Sequence, residues 1–160
     1  MENEIPLRPH QADMTQLVLP NDTNQLGNLL GGQLMHWIDL VAAIASARHS
    51  HRICVTASVD DLNFLHPIKL GEVVILLASV NRVFRTSMEI GVKVMSENLL
   101  TGKIKHANTA YLTFVALDTN GLPTQIQQVS IETEEEQRRY NDALSRRELR
   151  LLRRKKNLKP

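Results

Sequence analysis

Residues 31–47 read GGQLMHWIDLVAAIASA, a stretch that is apolar almost throughout and yet carries one carboxylate, Asp39. Its large apolar side chains recur every three or four residues, at Leu30, Leu34, Trp37, Val41 and Ile44. This spacing places them on one side of an α-helix, so the stretch predicts a long helix that buries this stripe. Asp39 projects at the centre of the opposite side.

The side of the helix around Asp39 is built mainly from small residues. Its members are Gly32, Met35, His36, Ala42, Ala43 and Ser46. A solvated helix surface usually carries Lys and Glu, so we expect this side to pack against a second subunit or a ligand. Partial removal from water would make Asp39 a better general base. The structural alternative is an interface carboxylate that is hydrogen-bonded to His36 or Ser46.

Extended segments surround this helix in the sequence. Residues 15–20 predict a short strand before it, and four longer segments follow it, at 54–65, 72–84, 86–98 and 103–118. Several alternate apolar and polar side chains, as in residues 88–94 (MEIGVKV), which is typical of half-buried strands. Their connections are of hairpin length. The sequence therefore predicts the α+β class, with a mostly antiparallel sheet that carries the helix on one face.

The C-terminal region is rich in charge. Residues 1–131 hold 9 Lys and Arg against 11 Asp and Glu, whereas residues 132–160 hold 10 against 6, and the whole chain has a net charge of +2. We divide the chain into a domain at 1–130 and a charged helix with a basic tail at 131–160. Thr133 and Glu136 stand in capping-box spacing for that helix. The basic end is interpreted as a solvated helix end, or as a contact for nucleic acid, anionic lipid or a phosphorylated ligand.

Composition limits the class of protein. A chain of 160 residues with 42% hydrophobic and 22% charged residues is typical of one soluble domain. No apolar run approaches the roughly 20 residues of a membrane span, so we expect a cytoplasmic protein without one. Cys54 is the only cysteine, and His36 lacks a second histidine at ligand spacing. We therefore expect no disulfide framework, no metal site and no cofactor.

The paired glycines Gly31 and Gly32 open the predicted helix. The first N–H groups of a helix lack partners within it, and glycine lets a carbonyl oxygen approach them closely. Such donors form the oxyanion hole of acyl-transfer enzymes. Asp39 lies about 10 Å along the axis from Gly32 at about 1.5 Å per residue. A thioester or ester lying along the helix could have its carbonyl at Gly32 and a water molecule near Asp39.

Four ordered motifs resemble those of the acyl-CoA hydrolases of the hotdog fold. They are DTNQLGNLLGGQLMHWID (22–39), VTASVDDLNFLHPIKLGE (55–72), NRVFRTSMEIGVKV (81–94) and TAYLTFVALD (109–118). The C-terminal ETEEEQRRY is also similar to the tail of that family. The resemblance implies a long central helix wrapped by an antiparallel sheet, a dimer, and assembly of three dimers into a hexamer. It also implies hydrolysis of acyl-CoA to free CoA and a fatty acid, without a cofactor.

The resemblance assigns roles to particular residues. Asp39 matches the catalytic acid, which acts as a general base or as a nucleophile, and Asn24 matches an amide that assists it across the dimer interface. Backbone N–H groups near Gly32 would polarise the thioester carbonyl. The CoA-binding residues implied are Arg82, Arg85, Thr86 and Ser87. Gln25 stands where the family pattern has histidine, which affects the expected chain-length preference more than the reaction.

Two other functions remain open for this sequence. A hotdog module could bind acyl-CoA or nucleic acid without catalysis, although no helix-turn-helix precedes the hotdog region and we expect no nucleic-acid partner. A dehydratase on the same fold would need a catalytic histidine beside the acid, and only His36 is available. The presence of both Asn24 and Asp39 favours the thioesterase.

Overall fold

A computed structural model describes residues 10–158 of the chain. Within this range five strands form one sheet: β1 (Gln11–Leu17), β2 (Ile53–Val59), β3 (Val73–Phe84), β4 (Ser87–Asn98) and β5 (Lys103–Leu117). Their order is β1-β3-β4-β5-β2, and every neighbouring pair is antiparallel. Helix α1 (Gly31–Ser50) connects the two edge strands, and helix α2 (Glu134–Asn157) follows the last strand.

Helix α1 lies on the inner face of the sheet and contacts all five strands. Alternate residues of the three central strands point toward it, since successive side chains of a strand point to opposite faces. Leu76, Ile90 and Phe114, one from each central strand, are at most 1% exposed. The α+β architecture with a long helix held by an antiparallel sheet is therefore confirmed.

The buried side of α1 is rotated relative to the predicted stripe. Leu34, Trp37 and Val41 are buried as predicted, but Leu30 and Ile44 are 43% and 39% exposed. Ile38 and Ala42 take their places against the sheet, with at most 1% exposure. Ala42 and Ser46, which were predicted to lie on the side of Asp39, are thus core residues. The helix is apolar on nearly all sides, so its periodicity alone does not select the buried one.

Most predicted element boundaries agree with the structure. The three long strands match the predicted segments within one residue, and α1 begins at Gly31 and continues three residues beyond the stretch 31–47 that predicted it. Strand β1 starts at Gln11 and ends at Leu17, earlier than predicted, and β2 ends at Val59 instead of continuing to residue 65. In α2, the Thr133 hydroxyl accepts the N–H of Glu136 and the Glu136 carboxylate accepts the N–H of Thr133, which confirms the capping box.

Helix α2 contacts the outer face of the sheet through arginines. Arg146 pairs with Glu89 of β4 at 2.7 Å, and its guanidinium stacks on the ring of Tyr111 at 3.7 Å. Arg150 reaches the second oxygen of Glu89 at 3.1 Å. The interpretation of the basic segment as a solvated helix end is therefore wrong for Arg146 and Arg150, whose side chains are 21% and 19% exposed. None of the helices within residues 10–158 is long and apolar enough to cross a membrane.

Candidate functional site

Asp39 lies in the third turn of α1, on the side of the helix that the sheet leaves partly uncovered. Its carboxylate oxygen Oδ1 accepts a hydrogen bond from the hydroxyl of Thr56 on β2 at 2.6 Å. Neither partner named in the structural alternative bonds to it, because the Ser46 hydroxyl donates to the carbonyl of Ala43 and His36 makes no hydrogen bond within the described range. Oδ2 has no partner among residues 10–158 either. The carboxylate is thus held at one oxygen and open at the other.

Thr56 is a site residue that the sequence did not indicate. A β-bulge lies between Thr56 and Ser58, where β2 carries one residue more than its partner β5. Bulges redirect side chains and are frequent beside active sites. Thr56 stands seventeen residues after Asp39 on a different element, so no local pattern of the sequence connects the two.

The beginning of α1 leaves backbone donors available. Leu34 N–H is the first to bond within the helix, to the Leu30 carbonyl at 3.1 Å, and Leu30 provides no side-chain cap. The N–H groups of Gly31, Gly32 and Gln33 consequently have no acceptor within the helix. A methyl group added at Gly32 would meet no atom within 4 Å apart from its chain neighbours and the backbone of its own helix, so space is left beside this helix end for an approaching carbonyl.

Asn24 lies in the loop that enters this helix. Its side-chain Oδ1 accepts the N–H groups of Leu26 at 2.9 Å and Asn28 at 3.1 Å, which fixes the loop. The Nδ2 group makes no hydrogen bond to residues 10–158. No hydrogen bond connects Asn24 with Asp39 in this chain, so the structure brings Asp39 to Thr56 but does not bring it to Asn24.

The four predicted CoA-binding residues lie at the β3–β4 hairpin. Arg85 and Thr86 form its turn, and within the described part of the chain their side chains have no hydrogen-bond partner. Arg82 instead stacks on the ring of Tyr140 in α2 at 4.1 Å and donates to its carbonyl at 3.2 Å. Ser87 accepts a long hydrogen bond of 3.4 Å from Arg147. Helix α2 therefore occupies Arg82 and contacts Ser87.

The register of the sheet places this hairpin near Asp39. Met88, beside the turn, pairs with Phe114 of β5, and Phe114 pairs with Thr56 of β2. Adjacent strands are about 4.8 Å apart, so Thr56 lies roughly 10 Å across the sheet from the hairpin. The Asp39–Thr56 pair and the hairpin turn share one end of the sheet.

A large cavity lies away from these residues. It has a volume of about 1160 Å³ and lies on the outer face of the sheet beside the first turns of α2, with Ser79, Gly91 and Tyr111 in its lining. Neither Asp39 nor Gly32 lines it. In residues 10–158 no three His, Cys, Asp or Glu side chains are grouped as metal ligands. Gly32 is exposed and Asp39 is half-buried, so both are accessible at the surface of the single chain.

Comparison with known proteins decides the family. The family model of the thioesterase superfamily matches residues 26–103. YkhA of Bacillus subtilis, described as an uncharacterized acyl-CoA thioester hydrolase, is 48% identical over 132 residues, which are 82% of this chain and 77% of that protein. This chain belongs to the thioesterase superfamily. The hotdog fold expected from the sequence is thereby confirmed.

Two solved structures of the superfamily are similar over almost their whole length. An apo-hexameric acyl-CoA thioesterase superposes with a TM-score of 0.86 at 41% identity, covering 89% of this chain and 92% of that one. The acyl-CoA hydrolase of Staphylococcus aureus, solved with butyryl coenzyme A, coenzyme A and coenzyme A disulfide, gives 0.86 at 37% identity, covering 92% and 90%. That hydrolase has also been solved with alanine in place of an aspartate, a threonine or an asparagine.

Proposed function

We propose that this protein is an acyl-CoA thioesterase that hydrolyses acyl-CoA to free CoA and a carboxylic acid. The observation that carries the proposal is the Asp39 carboxylate, which the Thr56 hydroxyl holds at 2.6 Å while its second oxygen stays open. A carboxylate in this arrangement is oriented and still able to take a proton from water or to attack a carbonyl. The superfamily to which the chain belongs supports the same reaction.

The reaction needs an electrophile held near this carboxylate. Water, deprotonated by Asp39, adds to the thioester carbon, the carbon–sulfur bond breaks, and the proton passes to the CoA sulfur. If Asp39 attacks directly, the carbon–sulfur bond breaks, CoA leaves as the thiolate, and water then hydrolyses the acyl-enzyme anhydride and supplies the proton for the thiolate. In both cases negative charge develops on the carbonyl oxygen, and the N–H groups of Gly32 and Gln33 would stabilise it.

The geometry of α1 favours a site shared between two copies of the chain. Gly32 and Asp39 lie on the same side of the helix but about 10 Å apart along its axis. A water molecule activated by Asp39 must lie within about 3 Å of the carboxylate and about as close to the thioester carbon. One thioester does not meet both requirements on one helix, so we replace the arrangement along a single helix that the sequence suggested. We therefore pair Asp39 of one subunit with the Asn24 loop and the Gly32 helix end of another.

Exposed apolar residues mark the surface where the second copy would pack. On α1 these are Met35 and Leu40, which are 44% and 40% exposed, and on the edge strand β2 they are Ile53 and Val55, at 74% and 43%. An open strand edge beside apolar side chains is a typical interface. The hexameric relative supports assembly of this kind.

The three alanine variants of the S. aureus hydrolase support this choice of residues. In that protein the asparagine precedes the aspartate by fifteen residues, and the threonine follows the aspartate by seventeen. Asn24, Asp39 and Thr56 have the same two spacings in this chain. For CoA, the hairpin offers Arg85 and Thr86, whose side chains have no partner in the described range, whereas Arg82 would have to leave Tyr140.

The alternative of a nucleic-acid-binding module has less support. Arg146 and Arg150, which a basic tail would present to phosphates, are paired with Glu89. His36 is exposed and has no hydrogen bond to Asp39, which disfavours the dehydratase arrangement.

The first experiment measures release of free CoA from short, medium and long acyl-CoA thioesters. Asp39→Ala should lower turnover by about a hundredfold or more, because it removes the general base or nucleophile, and should leave the assembly intact. Asp13→Asn, an exposed carboxylate on β1, is the matched control. Full turnover in Asp39→Ala would reject the assignment.

Mixing two inactive variants tests the shared site. A dimer of one Asn24→Ala subunit and one Asp39→Ala subunit keeps one intact site and loses the other. Random reassociation of equal amounts should therefore restore about a quarter of wild-type turnover. If both residues acted within one subunit, mixing would restore nothing.

A further inference from the structure

The connection between β2 and β3 begins with two carboxylates that α2 holds. Asp60 Oδ2 accepts a hydrogen bond from Arg150 at 2.8 Å, and Asp61 pairs with Arg153 at the same distance. The first pair is 19% exposed on both sides, whereas the second is 65% and 74% exposed. Exposed ion pairs contribute little, so Arg150 is the tether that matters.

Arg150 is itself held by a residue of the sheet. The same Nη1 atom lies 3.1 Å from Oε2 of Glu89, whose side chain is completely buried under α2. Because Glu89 belongs to the central strand β4, its contact with Arg150 fixes the guanidinium relative to the sheet. Asp60, which bonds to the same guanidinium, is consequently fixed relative to that sheet.

The other end of the same connection contacts the beginning of α1. Two ring carbons of Phe64 lie 3.2 Å from the position that a methyl group on Gly31 would occupy. Gly31 is the first residue of α1 and precedes Gly32 directly. Asn63 gives one further fixed point, since its carbonyl accepts a hydrogen bond from Asn108 at 2.6 Å.

This connection is anchored in the core by Ile68 and partly by Leu62, but the residues next to the beginning of α1 have little apolar burial to hold them. Phe64 and Leu65 are 51% and 68% exposed. Segments of this kind open locally at low cost in free energy unless specific contacts hold them. The contact of Arg150 with Asp60 is such a contact, at the start of the five residues 60–64 that end with the Phe64 ring against α1.

We propose that Asp60 and Arg150 are positioning residues for thioester hydrolysis, which act through Phe64 on the first turn of α1. This inference rests on the proposed function, since it assigns the Gly32 end of that helix to the thioester carbonyl. Helix α2 then has a part in catalysis without touching substrate. If Asp60 is released, the Phe64 ring moves, and the N–H donors beside it lose their alignment with the oxygen of the transition state.

The test compares kcat in two backgrounds. Asp60→Asn keeps the shape of the side chain and removes its charge, and we expect kcat to fall about fivefold, because small misplacements of aligned groups lower rates strongly. In a Phe64→Ala background, where the ring is already absent, the same change should alter kcat by less than about 1.5-fold. Asp60→Asn should lower the melting temperature by the same amount in both backgrounds. A purely structural role would give the same result, so only kcat distinguishes the two roles.

Arg146→Gln is the matched control. Arg146 holds the same helix to the same Glu89 but does not contact the connection, so the melting temperature should fall while kcat stays at the wild-type value. Should Asp60→Asn not fold, Arg150→Gln breaks the same contact. An effect on kcat that persists undiminished without the Phe64 ring would overturn the inference, as would an unchanged kcat in Asp60→Asn. A wild-type protein that releases no CoA would instead reject the proposed function itself.

Discussion

Helices α1 and α2 pack on opposite faces of one sheet by different physical means. Helix α1 attaches through apolar side chains, of which Ile38, Val41 and Ala45 are at most 1% exposed. In α2 only Ala143 and Glu136 are buried, and its attachment depends on arginines that reach carboxylates and aromatic rings. Apolar burial is not directional, whereas a guanidinium bound to two oxygens fixes the position of its helix.

This difference has a consequence for function. Because the sheet covers only one side of α1, the opposite side, which carries Asp39, stays available to a second subunit. Helix α2 has no comparable free site, but its directional contacts transmit position, and Arg150 reaches both Glu89 and Asp60. The apolar helix carries the candidate chemistry and the charged helix fixes the geometry around it.

Removing the central carboxylate of the charged interface should have the largest effect on stability. Glu89→Gln keeps the hydrogen bond from Asn81 possible but leaves Arg146 without its paired carboxylate and Arg150 with Asp60 alone. We expect the free energy of unfolding to fall by about 3 to 5 kcal/mol, as for a buried ion pair that loses one partner. Denaturant unfolding followed by circular dichroism measures it.

Glu97→Gln on the same strand is the control, because Glu97 forms no ion pair within residues 10–158. It should leave the unfolding curve unchanged. A loss below about 1 kcal/mol in Glu89→Gln would mean that the arginines do not hold α2 to the sheet.

Two isoleucines of α1 separate its buried side from its free side. Ile38→Ala removes a side chain that is 1% exposed, and we expect a loss of about 2 to 5 kcal/mol in the free energy of unfolding. Ile44→Ala, at 39% exposure, should have a much smaller effect on the single chain and should weaken subunit association. Unfolding curves and sedimentation velocity measure the two quantities. Equal losses in both variants would contradict the observed rotation of the helix.

The sequence predicted the fold better than it predicted which surfaces meet. Alternation and spacing located α1 and the long strands, because these patterns follow from local backbone geometry. They did not separate Ile38 from Ile44, since α1 is apolar on nearly all sides. Strand β2 ends at Val59 and not at residue 65, and the next residue, Asp60, bonds to Arg150 of α2, a contact that the apolar residues of the segment do not encode.

The contacts of the candidate site are harder still to predict from local sequence patterns. Asp39 stood out from its apolar surroundings, but its partner Thr56 is on another element. The arginines of α2 have the spacing of a solvated helix, and their partner Glu89 is 57 residues away from Arg146. Such pairs depend on the tertiary fold, which spacing within one element does not encode.

The beginning of α2 should give the smallest effect, and one that depends on pH. Burial alone would raise the pKa of Glu136, but the N–H groups of Glu132 and Thr133 and the His10 ring donate hydrogen bonds that outweigh it and hold that pKa at about 2, against 4.5 for a free glutamate. Because the pKa of the folded state is the lower one, this carboxylate stabilises the fold fully above pH 4.5. The contribution disappears as the pH falls toward 2.

Glu136→Gln should therefore lose stability relative to wild type at pH 6 by on the order of 2 kcal/mol, and the difference should shrink steadily below pH 4.5. Melting temperatures of both proteins between pH 6 and pH 2.5 measure this. Glu134→Gln, in the same turn and exposed, should differ from wild type equally at every pH. A difference between Glu136→Gln and wild type that stays constant or grows on acidification would contradict a carboxylate held ionised by these hydrogen bonds.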